Sequence, residues 1–566
     1  MRKSTVPWRL VRLLLLMRWT CGRAGWLNVL GEVMPCKINL VVAAGVLCLG
    51  TGLVHAMDCQ SLVGKDFAKA HVMETEDVTG PITLASSDAF TPGHGISIAK
   101  PFCRVRAVIK PTADSDIHME VWLPPPSAWN GKYQSIGNGG FAGVIVYRPM
   151  AWALESGYAV SSTDAGHTGE MSDSSWIYGH PEKVVDLGWR AVHETAVASK
   201  ALIDRYYGRS PAHSYFNGCS SGGREGLMEA QRFPTDYDGI VAGAPANYWV
   251  QAQTATIGYI QYISAAPRNW LSGEKLSLVN RASLAACHGA EGVLDDPGHC
   301  NFDPATLLCK RGQTEACLTQ PEVAAMKLIY KDLYDAKGKI VYPGLSPGDE
   351  AFWAWSFGPA ENRGTGSVSA PFAIGLYQAM VFQNPNWDFR SFQLERDLPI
   401  GLASDNIKAV SAENPDLSAF KAAGGRLLHY HGYNDPGIPA RASILYYNSV
   451  LEKMGGVGAV DPFYRLFLGT GMRHCGMGPG PNALGGTFAL QSPSRDPDHD
   501  LIAALAHWVE DGVAPNQITA TKYIDDDPGK GIAAQRPWCA YPKVAYYIGQ
   551  GARNKASSYA CSLPKQ

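Results

Sequence analysis

The run Tyr215-Phe216-Asn217-Gly218-Cys219-Ser220-Ser221-Gly222-Gly223-Arg224-Glu225-Gly226 constrains this chain more than any other. Tyr215 and Phe216 read as the end of a buried strand, and Leu227, Met228 and Ala230 follow at helical spacing. Between them, Gly218-x-Ser220-x-Gly222 supplies the small residues that a sharp strand–turn–helix connection needs. Such a turn lifts the serine hydroxyl above the end of a sheet. It also aims the N–H of Ser221, at the start of the helix, toward a developing negative charge. In a chain with 60 glycines the five-residue pattern is not specific by itself, so its surroundings must decide.

Upstream, residues 57–110 are rich in strand signals, and 118–124 alternate apolar and polar as a half-buried strand does. A strand over 129–136 runs into a glycine-rich loop, 137–143, and a buried strand over 158–162 ends at the loop 163–169. The spacing predicts a helix over 184–207, then the turn at Ser220, then a strand and its loop over 238–246. This succession of strands and helices predicts a parallel α/β sheet. The rhythm breaks after Tyr248. Residues 249–410 hold four cysteines and many aromatic residues without regular alternation. It resumes with a strand at 425–432, a helix near 440–454, a strand at 464–467 and a helix near 501–511. The organisation expected is an α/β-hydrolase fold split into 57–248 and 411–566 around a large inserted lid, 249–410.

Residues 1–56 read as an N-terminal extension plus a secretory signal, with translation starting at Met34. Lys37 precedes the apolar run 40–49, and Val54-His55-Ala56 offers a small-residue cleavage site. That run is short for a membrane span, so the expected location is secreted or periplasmic, without stable membrane insertion. The net charge of −2 and the lack of a long basic run argue against a nucleic-acid partner. Removing 1–56 removes Cys21, Cys36 and Cys48 and leaves ten cysteines, an even number that in an exported chain suggests five disulfides. Local spacing favours Cys287–Cys300, Cys309–Cys317 and Cys539–Cys561, with Cys59–Cys103 closing the N-terminal part. Elimination leaves Cys219 with Cys475; the alternative is two unrelated buried cysteines.

A nucleophilic serine in this fold needs an acid and then a histidine later in the chain, each on a loop after a strand. Asp435, in His431-Gly432-Tyr433-Asn434-Asp435-Pro436, follows the strand at 425–432. His474, in Arg473-His474-Cys475-Gly476, follows the strand at 464–467. In the order Ser220, Asp435, His474, the histidine takes the serine proton and the aspartate orients and stabilises the imidazolium. Cys219 precedes the serine and Cys475 follows the histidine, so a bridge between them would tie nucleophile to base. The second oxyanion donor, beside the N–H of Ser221, is expected from Gly139 or Gly140. Asp164 and His167 precede the serine and read as a hydrogen-bonded structural loop.

These motifs, with Ser162-Thr163-Asp164-x-Gly166-His167-x-Gly169 and Asp238-Gly239-Ile240, resemble the tannase and feruloyl esterase family over nearly all of the mature chain. The resemblance implies the serine–histidine disulfide, the inserted lid and a serine carboxylesterase acting on small-molecule esters of aromatic, phenolic acids. It implies no organic cofactor. It also implies a structural calcium loop in the lid, matched here by Cys287-His288-Gly289-Ala290-Glu291-Gly292-Val293-Leu294-Asp295-Asp296-Pro297, with Glu291, Val293 and Asp295 as expected ligands and Asp296 as a further candidate. His288 and Glu291 depart from the family's acidic pattern, and calcium takes oxygen ligands rather than imidazole. For the substrate, Trp353 and Trp355, within a cluster that includes Phe352 and Phe357, are candidates to stack an aromatic ring, and His431 is a candidate for the pocket wall. No arginine is assignable to a terephthalate carboxylate. The alternatives are an esterase for another ester class, such as terephthalate monoesters or aliphatic esters, and a non-catalytic hydrolase-like binding protein.

Overall fold

The computed structural model describes residues 57–85, 95–141 and 143–564. The expected extension and secretory signal, 1–56, and Ala142 of the glycine-rich loop lie outside the described residues. At the centre is a ten-stranded sheet. In chain order its strands are β1 (Asp66–Phe67), β2 (Ala70–Val78), β3 (Phe102–Ile109), β4 (Ile117–Leu123), β5 (Lys132–Ile136), β6 (Ala159–Thr163), β7 (His213–Cys219), β8 (Gly239–Gly243), β9 (Arg426–Gly432) and β10 (Tyr464–Gly469). Across the sheet they lie in the order β1-β2-β3-β4-β6-β5-β7-β8-β9-β10. β1 to β4 pair antiparallel, as do β4 and β6. From β6 through β5, β7, β8 and β9 to β10 every pairing is parallel. Parallel strands need crossovers, so the loops leaving β5, β7, β9 and β10 all emerge at one edge of the sheet.

The parallel strands are buried along almost their whole length, polar residues included, because both faces are covered. Along β8, Ile240 and Ala242 join one apolar cluster and Val241 joins another. Successive side chains point to opposite faces, so the sheet is packed between two cores. β4 shows the same effect against expectation. Its alternating pattern predicts one wet face, yet Glu120 is buried, where Arg104 donates to it through Nε and Nη2 at 2.9 and 2.8 Å.

The helix expected over 184–207 is interrupted. A π turn at Asp186–Arg190 precedes the α-helix Ala191–Tyr207. Between β8 and β9 the chain adds no strand to the main sheet. This insertion is more regular than its sequence suggests. It opens with the 17-residue helix Trp249–Ala265, which buries Val250, Ile257 and Ile260. The five disulfides are the five expected: Cys59–Cys103, Cys219–Cys475, Cys287–Cys300, Cys309–Cys317 and Cys539–Cys561. Among the described residues no helix is long and apolar enough to cross a membrane.

Candidate active site

Ser220 stands between the last residue of β7 and the helix Ser221–Arg232, with φ 65° and ψ −121°. A non-glycine residue held there costs about 1–3 kcal/mol and persists only where its surroundings impose it. Here they do. A Cβ at Gly218 would lie 2.4 Å from the Gly222 carbonyl oxygen, and one at Gly222 would lie 2.8 Å from the carbonyl oxygen of Asn138. The glycines therefore permit strand, turn and helix to touch backbone to backbone. Arg224 secures the helix from behind: its buried guanidinium donates to the carbonyls of Gly188 and Leu187 at 2.6 and 2.9 Å. The π turn is what brings those carbonyls there.

Asp435 follows β9 and His474 follows β10. Asp435 Oδ2 lies 2.5 Å from His474 Nδ1, and Asp435 Oδ1 accepts from the N–H groups of Gly437 and Ile438 at 2.9 Å each. Burial alone would raise the Asp435 pKa. The charge of His474 and the hydrogen bonds from His431 and His474 outweigh it and hold the carboxyl well below its ordinary range. An ionised carboxylate only accepts, so Nδ1 of His474 carries the proton and Nε2 is left as the basic nitrogen. The Cys219–Cys475 bridge, with Cα atoms 5.9 Å apart, fastens the residue before Ser220 to the residue after His474.

Ser220, Ser221 and His474 line one cavity of about 450 Å³. Gly140 lines it too, at φ 60°, and its carbonyl accepts from the Ser221 hydroxyl at 2.8 Å. Gly139 instead packs against the ring of Phe488, so of the two candidate glycines only Gly140 borders the cavity. The loop that carries them is braced from three sides. The Asn138 N–H donates to Glu225, Asn138 Nδ2 donates to the Thr163 carbonyl, and His167 Nε2 lies 2.6 Å from the Phe141 carbonyl oxygen. Burial lowers the His167 pKa to about 4, so this ring is neutral and donates. Asp164 caps its own loop by accepting from the N–H groups of His118 and Gly166.

The aromatic candidates separate. Trp355 lines the cavity. Trp353 does not: it is buried in the insertion's own core, 5.1 Å from the Tyr330 ring. His431 is also displaced from its expected place on the pocket wall. It is fully buried behind Asp435, with Nε2 3.2 Å from Asp435 Oδ2 and 2.9 Å from the Ile438 carbonyl oxygen. The apolar wall comes from Trp249, Phe372 and Ile438 beside Trp355, and its polar points are Gln253, Thr256 and Ser369. Sequence reasoning missed most of these because they are scattered through the insertion; only Ile438 sits next to a recognisable motif. The insertion also grips the base loop. Arg473 pairs with Asp349 and stacks 3.7 Å from the Phe352 ring centroid, and Ser356 donates to the Pro436 carbonyl.

Most of the expected calcium ligands are engaged elsewhere. The Asp295 carboxylate is paired with Arg536 at 3.0 Å and Arg553 at 3.6 Å. The Val293 carbonyl accepts from the Ala290 N–H, and Glu291 is exposed at a turn with φ 55°. Two guanidiniums already neutralise Asp295, and Asp296 takes the Tyr546 hydroxyl and the His299 ring, so this donor set does not fit a calcium ion.

Comparison with known proteins agrees with the geometry. Residues 103–562 match the family described as tannase and feruloyl esterase. An uncharacterized esterase of Xanthomonas campestris pv. campestris is 34% identical over 554 residues, covering 93% of this chain and 94% of that one. Feruloyl esterase C of Talaromyces stipitatus is 33% identical over 494 residues, covering 85% and 89%. Among solved structures, feruloyl esterase B from Aspergillus oryzae superposes with a TM-score of 0.80 at 30% identity, covering 89% of this chain and 100% of that one. Tannin acyl hydrolase from Aspergillus niger shares the fold, with a TM-score of 0.68 at 22% identity over 89% of this chain and 94% of that one. With the elbow serine, the acid–histidine pair and the bridge between their loops on one sheet edge, the chain is a carboxylic ester hydrolase and belongs to the tannase and feruloyl esterase family.

Proposed function

We propose that this protein hydrolyses esters of phenolic acids through an acyl-enzyme formed on Ser220. His474 Nε2 accepts the serine proton as Oγ attacks the ester carbonyl. The N–H groups of Ser221 and Gly140 receive the oxyanion, and His474 then protonates the leaving alcohol. Water, activated by the same imidazole, releases the acid. Asp435 stays ionised throughout and stabilises the imidazolium.

The observation that carries the substrate reading is the cavity's chemistry. Trp249, Trp355 and Phe372 give flat apolar walls, and its lining, apart from His474, has only uncharged polar groups. An aromatic ring bearing hydroxyl or methoxy groups suits such a wall. A terephthalate carboxylate would enter it without a cation to meet it. Relatives named as feruloyl esterases support the same class. Five disulfides support secretion or export to the periplasm.

The test is a panel of methyl ferulate, methyl gallate, chlorogenic acid, mono(2-hydroxyethyl) terephthalate and p-nitrophenyl butyrate, with Ser220→Ala as control. Turnover of a phenolic ester that is lost in Ser220→Ala is the expected result. Turnover restricted to the terephthalate or the butyrate would overturn the substrate class while keeping the mechanism.

A further inference from the structure

Behind Asp435 a line of buried side chains continues away from the cavity. His431 Nδ1 lies 2.6 Å from Ser443 Oγ, Ser443 Oγ lies 2.7 Å from His429 Nε2, and His429 Nδ1 lies 2.7 Å from the Tyr464 hydroxyl. Exposure is zero for His429, His431 and Tyr464 and 1% for Ser443. The residues come from two adjacent strands and one helix: His429 and His431 from β9, Tyr464 from β10, and Ser443 from the helix Ala440–Met454. We infer that Tyr464, His429, Ser443 and His431 form a one-way hydrogen-bond relay that positions Asp435, and through it the catalytic base His474.

The direction follows from counting donors. The Asp435 carboxylate and the Ile438 carbonyl can only accept, so the proton on His431 is on Nε2 and is shared between them. With one proton on the ring, Nδ1 accepts, and the single Ser443 hydroxyl proton goes to it. Ser443 Oγ then accepts from His429 Nε2–H. That leaves His429 Nδ1 to accept from the Tyr464 hydroxyl. Every bond is fixed by the one before it. An imidazolium at position 431 would reverse this order, with Nδ1–H donating to Ser443 and Ser443 donating to His429 Nε2. Burial, with His431 nearby, holds the His429 pKa well below its ordinary value, which agrees with a neutral ring.

The other titratable groups facing this line are phenols. Tyr342 faces Asp435, and Tyr446, Tyr447 and Tyr248 surround Tyr464. Burial pushes all four upward in pKa from the ordinary phenol value, so they remain neutral below about pH 10. A chain of polarised hydrogen bonds in a low dielectric is stiffer than its separate links. It therefore keeps the Asp435 oxygens aimed at His474 rather than merely solvated.

The inference rests on the esterase reading, and Ser443→Ala tests it. The substitution removes only Oγ, leaving His431 Nδ1 and His429 Nε2–H without the group that ordered them. His431 can then change tautomer and cease donating to Asp435. The expected result, in enzyme that remains folded, is a kcat lower by about tenfold, with KM unchanged. The acidic limb of the kcat/KM profile should move to higher pH, because a carboxylate that has lost a donor holds the imidazolium more strongly. Ser443→Thr keeps the hydroxyl and should restore both height and limb. Tyr464→Phe should shift the limb the same way by less. A Ser443→Ala profile that overlays the wild type in height and pH would overturn the relay. So would a loss of rate without movement of the limb, which a purely structural defect predicts. An inactive wild type, or activity surviving in Ser220→Ala, would instead refute the esterase reading.

Discussion

Removing the bridge beside the active site should damage catalysis before it unfolds the protein. In Cys219→Ala with Cys475→Ala, both sulfurs go and the other four disulfides remain. The two cysteines are 256 residues apart in sequence. Loop-closure entropy for a ring of that size corresponds to about 5.5 kcal/mol of stabilisation, an upper figure because unfolded chains retain structure. Urea denaturation without reductant, read by tryptophan fluorescence, should show a loss of that order. The catalytic effect is separate. His474 sits beside the lost sulfur on a loop where Cys475 has φ 60°, and a displacement of about 1 Å at a reacting group costs about 100-fold. Steady-state kinetics in buffer, where circular dichroism reports a folded chain, should therefore give a kcat/KM reduced by at least about tenfold. Wild-type turnover by folded double mutant would refute the claim that the bridge holds base to nucleophile. A stability loss far below the loop figure would refute only the entropic part.

Asp435→Asn leaves the loop's shape but gives His474 a partner that no longer stabilises its cation; kcat should fall by about 10⁴-fold in single-turnover assays. Gly140→Ala places a Cβ 2.5 Å from the Met171 carbonyl oxygen in a left-handed backbone, so kcat should drop by about 10²–10³-fold as an oxyanion donor moves. Gly139→Ala meets the Phe488 ring at 3.4 Å and the Met171 methyl at 3.9 Å, both side chains at ordinary contact distance, and should stay near wild type. His167, with its pKa depressed from 6.5 to about 4, favours folding as the neutral ring. Its contribution is complete above about pH 6.5 and lost as pH falls to about 4, a difference of about 3 kcal/mol. Asp164, raised to about 7 by burial, acts in the opposite sense over the same range. The effect must therefore be read as unfolding free energy of wild type minus His167→Phe across pH; a pH-independent difference would show that the ring is not buried neutral.

The parts that could be read from the sequence are those with local signatures. The turn at Ser220 is dictated by glycines within four residues of it. Asp435 and His474 each follow an apolar run directly, and the cysteine spacing leaves few pairings. The cavity wall has no such signature. Trp249, Gln253, Ser369 and Phe372 converge only because the insertion folds back over the sheet edge. Trp353 and Trp355 look equivalent in sequence, yet a helical turn sends one into a core and the other to the cavity. Asp295, expected to meet a cation, meets Arg536 and Arg553, which lie 241 and 258 residues downstream, where no spacing rule connects them. His431 stands in the right motif. Because β9 is covered on both faces, its ring is buried away from the cavity.

The grip of the insertion on the catalytic loops limits how this scaffold can be re-engineered. Arg473 is tied to Asp349 and Phe352, and Ser356 reaches the backbone beside Asp435. Substrate range and catalytic alignment therefore both depend on the insertion, through different residues. Transplanting a relative's insertion to change the ester accepted would cut those ties, and the chimera would lose rate on every substrate, including those its new cavity fits. Grafts that retain 349–356 and exchange only the wall around Ser369 and Phe372 separate the two properties.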